Sequence, residues 1–161
     1  MHIASLLKQH KLFCNEETRD PRILKHMQRV GHYEFGLGLR LINTSNSDEI
    51  KEIQRLLDNG EEIRGWARYW SHIYGYIFNA IENNEELENS VLVVRYEDLC
   101  NEPENVLTKV FNHCNLKLEE SFLQASAKRL AFPSYYKASF SEDEIAIIRE
   151  ETSTVAKLYH Y

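Results

Sequence analysis

The stretch at residues 88–107, ENSVLVVRYEDLCNEPENVL, constrains the fold of this chain more than any other. Residues 91–94 are four consecutive apolar residues that favour β-structure, and the polar residues 95–98 follow directly. A strand that is apolar on both faces is typical of a parallel sheet covered by helices, and a single strand is not stable in water. The stretch therefore predicts a buried parallel strand at residues 91–94.

Most of the remaining sequence has the apolar period of helices. Asp20 followed by Pro21 predicts an N-cap and a first helical residue, and Ser141 with Glu144 predicts a capping box. The predicted helices cover residues 3–13, 21–30, 47–60, 61–81, 103–114, 118–130 and 141–159. Residues 34–42, EFGLGLRLI, could form a second strand, but their glycines weaken that prediction. We therefore expect the sheet partners of residues 91–94 to come from a preceding segment or from another subunit.

The composition of the chain limits its possible domain organisation, partners and location. The chain has 161 residues, of which 43% are hydrophobic, and no linker divides it, so we expect one domain over residues 1–161. The net charge of −6 with dispersed basic residues argues against nucleic-acid binding. Cys14, Cys100 and Cys114 form no CxxC pair, and no membrane span or signal peptide is present, which favours a cytoplasmic protein. The seven histidines lack zinc-site spacing, so no metal is expected.

Residues 91–116, VLVVRYEDLCNEPENVLTKVFNHCNL, resemble the late strand and helix of the cytosolic-type sulfotransferases. The stretch has the same order of features as that family: an apolar strand, Tyr-Glu-Asp-Leu, a proline and an amphipathic helix. The helix that carries Trp66 and Trp70 and the closing residues 141–161 agree with this resemblance. It implies an α/β fold, a partial and P-loop-like sulfotransferase domain that is N-terminally incomplete and mostly helical.

The resemblance also implies residues that bind the donor, 3′-phosphoadenylyl sulfate. IASLLKQHKLF, residues 3–13, is similar to the family helix whose early serine contacts the 3′-phosphate, which would be Ser5. Tyr96 falls on the tyrosine that meets the adenine. Trp66 and Trp70 would pack in the core or, alternatively, line the acceptor site. Residues 135–137 lie where the family has basic donor-binding residues, although its Arg-Lys-Gly signature is not there.

The expected reaction is transfer of a sulfuryl group to a hydroxyl or amine of a small-molecule, glycan or peptide acceptor. The chain has no glycine-rich loop with Lys-Ser or Lys-Thr, and the family's catalytic histidine cannot be assigned, so we expect the chain alone to be inactive. Two alternatives are a non-catalytic helical interaction protein and a subunit that completes its sheet from a partner chain. An unpartnered strand edge would also favour homo-oligomers.

Overall fold

The structure is a computed structural model that describes residues 2–132 and 139–161. About 70% of the described residues are helical. The helices of the described residues are α1 His2–Arg19, α2 Pro21–Arg29, α3 Ser47–Asp58, α4 Glu62–Glu82, α5 Glu85–Ser90, α6 Tyr96–Asn101, α7 Pro103–His113, α8 Glu120–Ala127 and α9 Glu142–Leu158. The predicted contribution of residues 135–137 lies outside the described residues.

Local sequence signals explain where several helices begin. Asp20 accepts a hydrogen bond from the Arg22 amide and Pro21 is the first residue of α2, as predicted. Asn46 accepts one from the Glu49 amide at the start of α3. The capping box predicted for α9 is confirmed, because the side chains of Ser141 and Glu144 each accept from the other's backbone N–H.

The predicted α/β, P-loop-like fold is wrong for the described part of the chain, which contains helices and no strand or sheet. Residues 91–94 lie between α5 and α6 without regular secondary structure, and they are 38–50% exposed. The amide of Val91 donates to the carbonyl of Leu87 and so ends α5. The prediction inferred burial from apolar composition, but a strand also needs a neighbour with which its backbone can form a hydrogen-bonded ladder.

The chain divides into two compact units, the first made of Met1–Phe78 and Ala138–Tyr161. In this unit Ile3 and Leu7 of α1 pack with Trp66 and Ala67 of α4 in a buried cluster. Ion pairs join its surface helices: Arg64 of α4 pairs with Glu150 and Glu151 of α9, and Arg68 of α4 pairs with Glu49 of α3. Such pairs add little individually, so apolar burial is the main source of stability here.

The second unit covers Asn79–Lys137. Within it α7 packs against both α6 and α8. Its buried apolar residues in the described range are Val106 of α7 and Leu123 and Ala127 of α8. The rings of Phe111 and Phe122 lie 5.8 Å apart and extend this small core toward the surface.

Candidate functional site

Ser5 is exposed near the N-terminal end of α1, and Ile3 and Leu7 of the same helix are buried. No acidic residue lies in the first turn of α1, and Lys8 is exposed one turn further on. The free N–H groups of a helix N-terminus and a nearby lysine attract anions. The surroundings of Ser5 are therefore compatible with an anionic ligand.

Tyr96 is the first residue of α6 and is 46% exposed. Its hydroxyl donates to the carbonyl of Ala131 at 3.4 Å, and its ring meets Phe132 edge to face with centroids 6.1 Å apart. These contacts orient a ring that still has an exposed part. Ser5 and Tyr96 belong to different units, so each half of the predicted donor site is described by itself.

The two tryptophans of α4 have different environments. Trp66 is 1% exposed, which confirms core packing for this residue, and its indole N–H has no acceptor among the described residues. Trp70 is partly exposed, donates its indole N–H to His2 Nδ1 at 2.9 Å, and stacks on Tyr74 at 4.7 Å. Trp70 therefore belongs to an aromatic group at the edge of the core, whereas Trp66 is structural.

A polar clasp, made of His10, Glu17 and the loop residues Gly36 and Leu37, was missed by sequence reasoning. Gly36 N–H donates to His10 Nδ1 at 3.2 Å, and Leu37 N–H donates to Glu17 Oε2 at 2.6 Å. Glu17 is 2% exposed. His10, the half-buried Cys14 and Glu17 are four and three residues apart on α1, a spacing that places them on one helix face and could have revealed the group.

The electrostatics of this clasp argue against covalent catalysis. His10 Nε2 lies 3.5 Å from Cys14 Sγ. Burial raises the pKa of the Cys14 thiol, and the carboxylates of Glu17 and Glu62 raise it further. Burial also lowers the pKa of His10 from its ordinary 6.5. A reactive cysteine typically has a lowered pKa, so the raised pKa of the Cys14 thiol does not favour a nucleophilic role for this pair.

Residues 40–46, before α3, are held against α4 by a second polar contact set. The Ile42 N–H donates to the hydroxyl of Tyr69 at 3.0 Å, and Thr44 Oγ1 lies 2.8 Å from His72 Nε2. Both contacts span more than twenty residues of sequence, so no local motif reveals them. They position His72 beside the hydroxyl group of Thr44.

The first unit also contains an open cleft of about 460 Å³. Residues from α1, the start of α4 and the start of α9 line it, and both apolar and charged side chains are among them. The lining residues are Leu7, Lys11, Gly60, Glu61, Glu62, Ile63, Arg64, Ser139, Phe140, Glu144 and Ile147. Its volume falls within the range of small-molecule sites.

In residues 2–132 and 139–161, no three or more His, Cys, Asp or Glu side chains are grouped so that they could hold a metal ion. Within the same ranges, none of the helices has the length and apolar character that crossing a bilayer requires. The three cysteines are free thiols.

Comparison with known proteins places the chain in a family. The family model of the sulfotransferase domain matches residues 32–157, which is more than half of the 161 residues. The chain therefore belongs to the sulfotransferase domain family, whose general function is sulfotransfer. No curated protein and no solved structure matches the chain significantly. The matched range includes Tyr96 and the 88–107 stretch but not Ser5.

Proposed function

We propose that the chain is a sulfotransferase domain that moves a sulfuryl group from 3′-phosphoadenylyl sulfate to a hydroxyl or amine. The observation that carries this proposal is the family match over residues 32–157. The acceptor is a small molecule, a glycan or a peptide. We also propose that the chain is one cytoplasmic sulfotransferase-like domain, in agreement with its free thiols.

Tyr96 is the proposed adenine contact. Its support is an orientated and partly exposed ring inside the family match. Stacking of a base on an aromatic side chain is worth about 1–3 kcal/mol. Tyr96→Ala should weaken binding of adenosine 3′,5′-bisphosphate by that amount in calorimetry. Tyr76→Ala is the matched control, because Tyr76 is 52% exposed and lies on α4.

Two outcomes would contradict the Tyr96 assignment. Equal affinities of Tyr96→Ala and the unchanged chain would exclude an adenine contact. A chain that binds no bisphosphate at all would exclude donor binding by this polypeptide.

Ser5 is the proposed contact of the 3′-phosphate. The support is its exposed position near a helix N-terminus without acidic neighbours in the first turn. The test compares adenosine 3′,5′-bisphosphate with adenosine 5′-phosphate. Ser5→Ala should reduce the preference for the bisphosphate and leave the affinity for the monophosphate unchanged. An unchanged preference would remove Ser5 from the site.

We propose that the 161-residue chain alone does not transfer sulfate to an acceptor at a measurable rate. Its sequence contains no glycine-rich loop with Lys-Ser or Lys-Thr that could hold the 5′-phosphosulfate. Losing a preorganised donor at a developing charge costs about 10²–10³ in rate, and loss of a general base costs about 10²–10⁴. The assay is transfer from radiolabelled donor to phenols, alcohols and amines. Turnover that persists after repurification and disappears in Ser5→Ala would contradict this proposal.

A non-catalytic helical interaction protein is the second candidate. The observation that favours it is the exposed apolar segment at residues 91–94 in the second unit. Under this alternative the chain binds neither adenosine bisphosphate nor an acceptor, and it associates with itself or with another protein. Calorimetry without nucleotide binding, together with concentration-dependent sedimentation, would favour it over the enzyme.

A further inference from the structure

The loop at residues 33–40 is attached to α1 through the polar clasp. A backbone hydrogen bond of 2.8 Å between the first and last residues of this loop closes it on itself. Two successive loop amides then donate to α1: the Gly36 N–H to His10 Nδ1 and the next N–H, of Leu37, to Glu17 Oε2. Both acceptors are titratable side chains, so the attachment depends on their protonation.

The hydrogen bond from Gly36 defines the charge state of His10. A backbone N–H can only donate, so His10 Nδ1 accepts and carries no proton in this arrangement. The proton of the neutral ring is then on Nε2, which lies 3.5 Å from Cys14 Sγ, a weak acceptor. A second proton, on Nδ1, would place a donor against the Gly36 donor. Protonation of His10 therefore breaks this half of the clasp.

The charged groups around His10 act on the other half. They are Glu17 and Lys11 on α1 and Glu62 on α4, and the Cys14 thiol lies beside the ring. Burial lowers the pKa of His10, both carboxylates raise it, and Lys11 lowers it slightly. Glu62 already pairs with Lys11 at 2.8 Å, whereas Glu17 is the acceptor of the second loop amide. An imidazolium attracted to Glu17 therefore competes with that amide.

Release of the loop would uncover part of the core. Phe35 of the loop packs against the buried cluster of the first unit, and its ring centroid lies 5.8 Å from that of Trp66 and 6.1 Å from that of Phe13. Leu39 of the same loop also packs against this cluster. Because Trp66 is 1% exposed, its accessibility to solvent reports whether the loop is closed.

We propose that the polar clasp is an acid-operated latch. Protonation of His10 releases the loop at residues 33–40 from α1 and makes the core surface beneath Phe35 accessible to solvent. The helices stay folded, because Ile3 and Leu7 still hold α1 against α4. The latch consists only of contacts within the first unit and is independent of sulfotransfer.

The first measurement follows the His10 ring and the loop of the unchanged chain by nuclear magnetic resonance. The nitrogen shifts of the ring should show a proton on Nε2 and none on Nδ1 at neutral pH. Once the ring is protonated, the Gly36 amide should exchange about tenfold faster or more, after correction for its intrinsic rate, because it loses its acceptor. Both changes should share one midpoint below the ordinary pKa of 6.5. The amide of Ala67, 0% exposed in α4, should stay protected.

The second measurement uses tryptophan fluorescence. Trp70→Phe leaves Trp66 as the single tryptophan of the chain. Quenching of Trp66 by acrylamide should increase as the pH falls, while circular dichroism stays constant. His10→Asn in the same background should remove this increase. The Asn side-chain oxygen is bonded to Cγ, as Nδ1 is, so it can accept from Gly36 without titrating.

His72→Asn is the matched control. His72 is partly buried in the same unit, but its partner is the hydroxyl of Thr44, which can donate as well as accept. Protonation of His72 therefore breaks no obligatory contact, and this variant should keep the acid response.

Several results would overturn the latch. It is excluded if the neutral His10 ring carries its proton on Nδ1, if the ring and the Gly36 amide change at different pH, or if Ala67 loses protection together with Gly36. An acid response that persists in His10→Asn, or disappears in His72→Asn, would assign it to another group. The resonance measurement needs no substitution, so it decides the question even if His10→Asn fails to fold. No nucleotide or acceptor is present, so failure of the latch leaves the sulfotransferase proposal unaffected.

Discussion

The two units differ in how much of their apolar surface they bury. In the first unit, Ile53, Leu56 and Trp66 are at most 2% exposed. In the second, the most buried apolar side chains of the described range, Val106 and Ala127, are still 7% exposed. The second unit also presents large exposed apolar residues: Leu87, Val91, Leu92, Val93, Val94, Leu116, Phe122 and Phe132. The first unit also has exposed apolar residues, but in the second unit four of them are consecutive, at residues 91–94. The comparison indicates that the more deeply buried core lies in the first unit and that the longest exposed apolar run of the described residues lies in the second.

Trp66→Ala should produce the largest effect, a loss of about 3–5 kcal/mol in the free energy of unfolding. The cause is a cavity in the core, since the buried indole N–H loses no hydrogen bond. Val106→Ala, in the second unit, removes fewer buried atoms and should cost about 1–3 kcal/mol. Urea unfolding followed by circular dichroism measures both variants. Equal losses would contradict the difference between the units.

Gly36→Ala tests the polar clasp of the first unit. Gly36 has φ +80°, and an added Cβ would lie 2.7 Å from Glu17 Cδ. Gly31→Ala is the matched control, because Gly31 has φ +82° and no atom within 4 Å of such a Cβ. Both variants should lose about 1–2 kcal/mol for the left-handed backbone. Gly36→Ala should lose about 1–3 kcal/mol more, because the buried carboxylate must shift from its donor.

If the two glycine variants were equally stable, the clasp would not be a rigid part of the unit. Thermal unfolding of both variants in the same buffer provides this comparison.

The pH dependence of stability depends on His10 of the same clasp. Its pKa is lowered by burial, against the opposing influence of Glu62 and Glu17 and with a small contribution from Lys11. The unfolded chain therefore binds the proton more readily than the folded chain. Stability from the neutral imidazole is complete above the ordinary pKa of 6.5 and is lost as the pH falls through the lowered folded pKa.

The measurement is the free energy of unfolding in urea at several values between about pH 5 and 7. His10→Gln should show a smaller decrease toward acid than the unchanged chain. His26→Gln is the control, since His26 is exposed on α2. A decrease that is the same in both variants would show that the clasp does not determine the acid sensitivity.

Sequence reasoning succeeded where the cause is local. Asp20 with Pro21, Pro103 and the Ser141–Glu144 box each define a helix start through residues a few positions apart. The burial of Trp66 followed from the apolar period of α4. These features need no information about the rest of the chain.

Prediction failed where the cause is distant. The strand at residues 91–94 would require a neighbouring strand, and four apolar residues do not specify one. His10 and Gly36 are 26 positions apart, so their hydrogen bond follows from packing rather than from any motif. The roles of Ser5 and Tyr96 come from family resemblance and stay predictions, because a ligand contact defines them and no side-chain pattern does.

Val93→Thr should have the smallest effect on folding and a measurable effect on association. Val93 is 50% exposed within a run of four exposed apolar residues, so a polar substitution there should change the free energy of unfolding by less than about 0.5 kcal/mol. Contiguous exposed apolar surface favours self-association. We therefore expect sedimentation to show that both dimers and larger species are less abundant in this variant than in the unchanged chain. Ile42→Thr is the control from the first unit. Ile42 is 60% exposed but does not belong to a run of four exposed apolar residues. Equal sedimentation of both variants, or a chain that is monomeric at every concentration, would show that residues 91–94 do not mediate association.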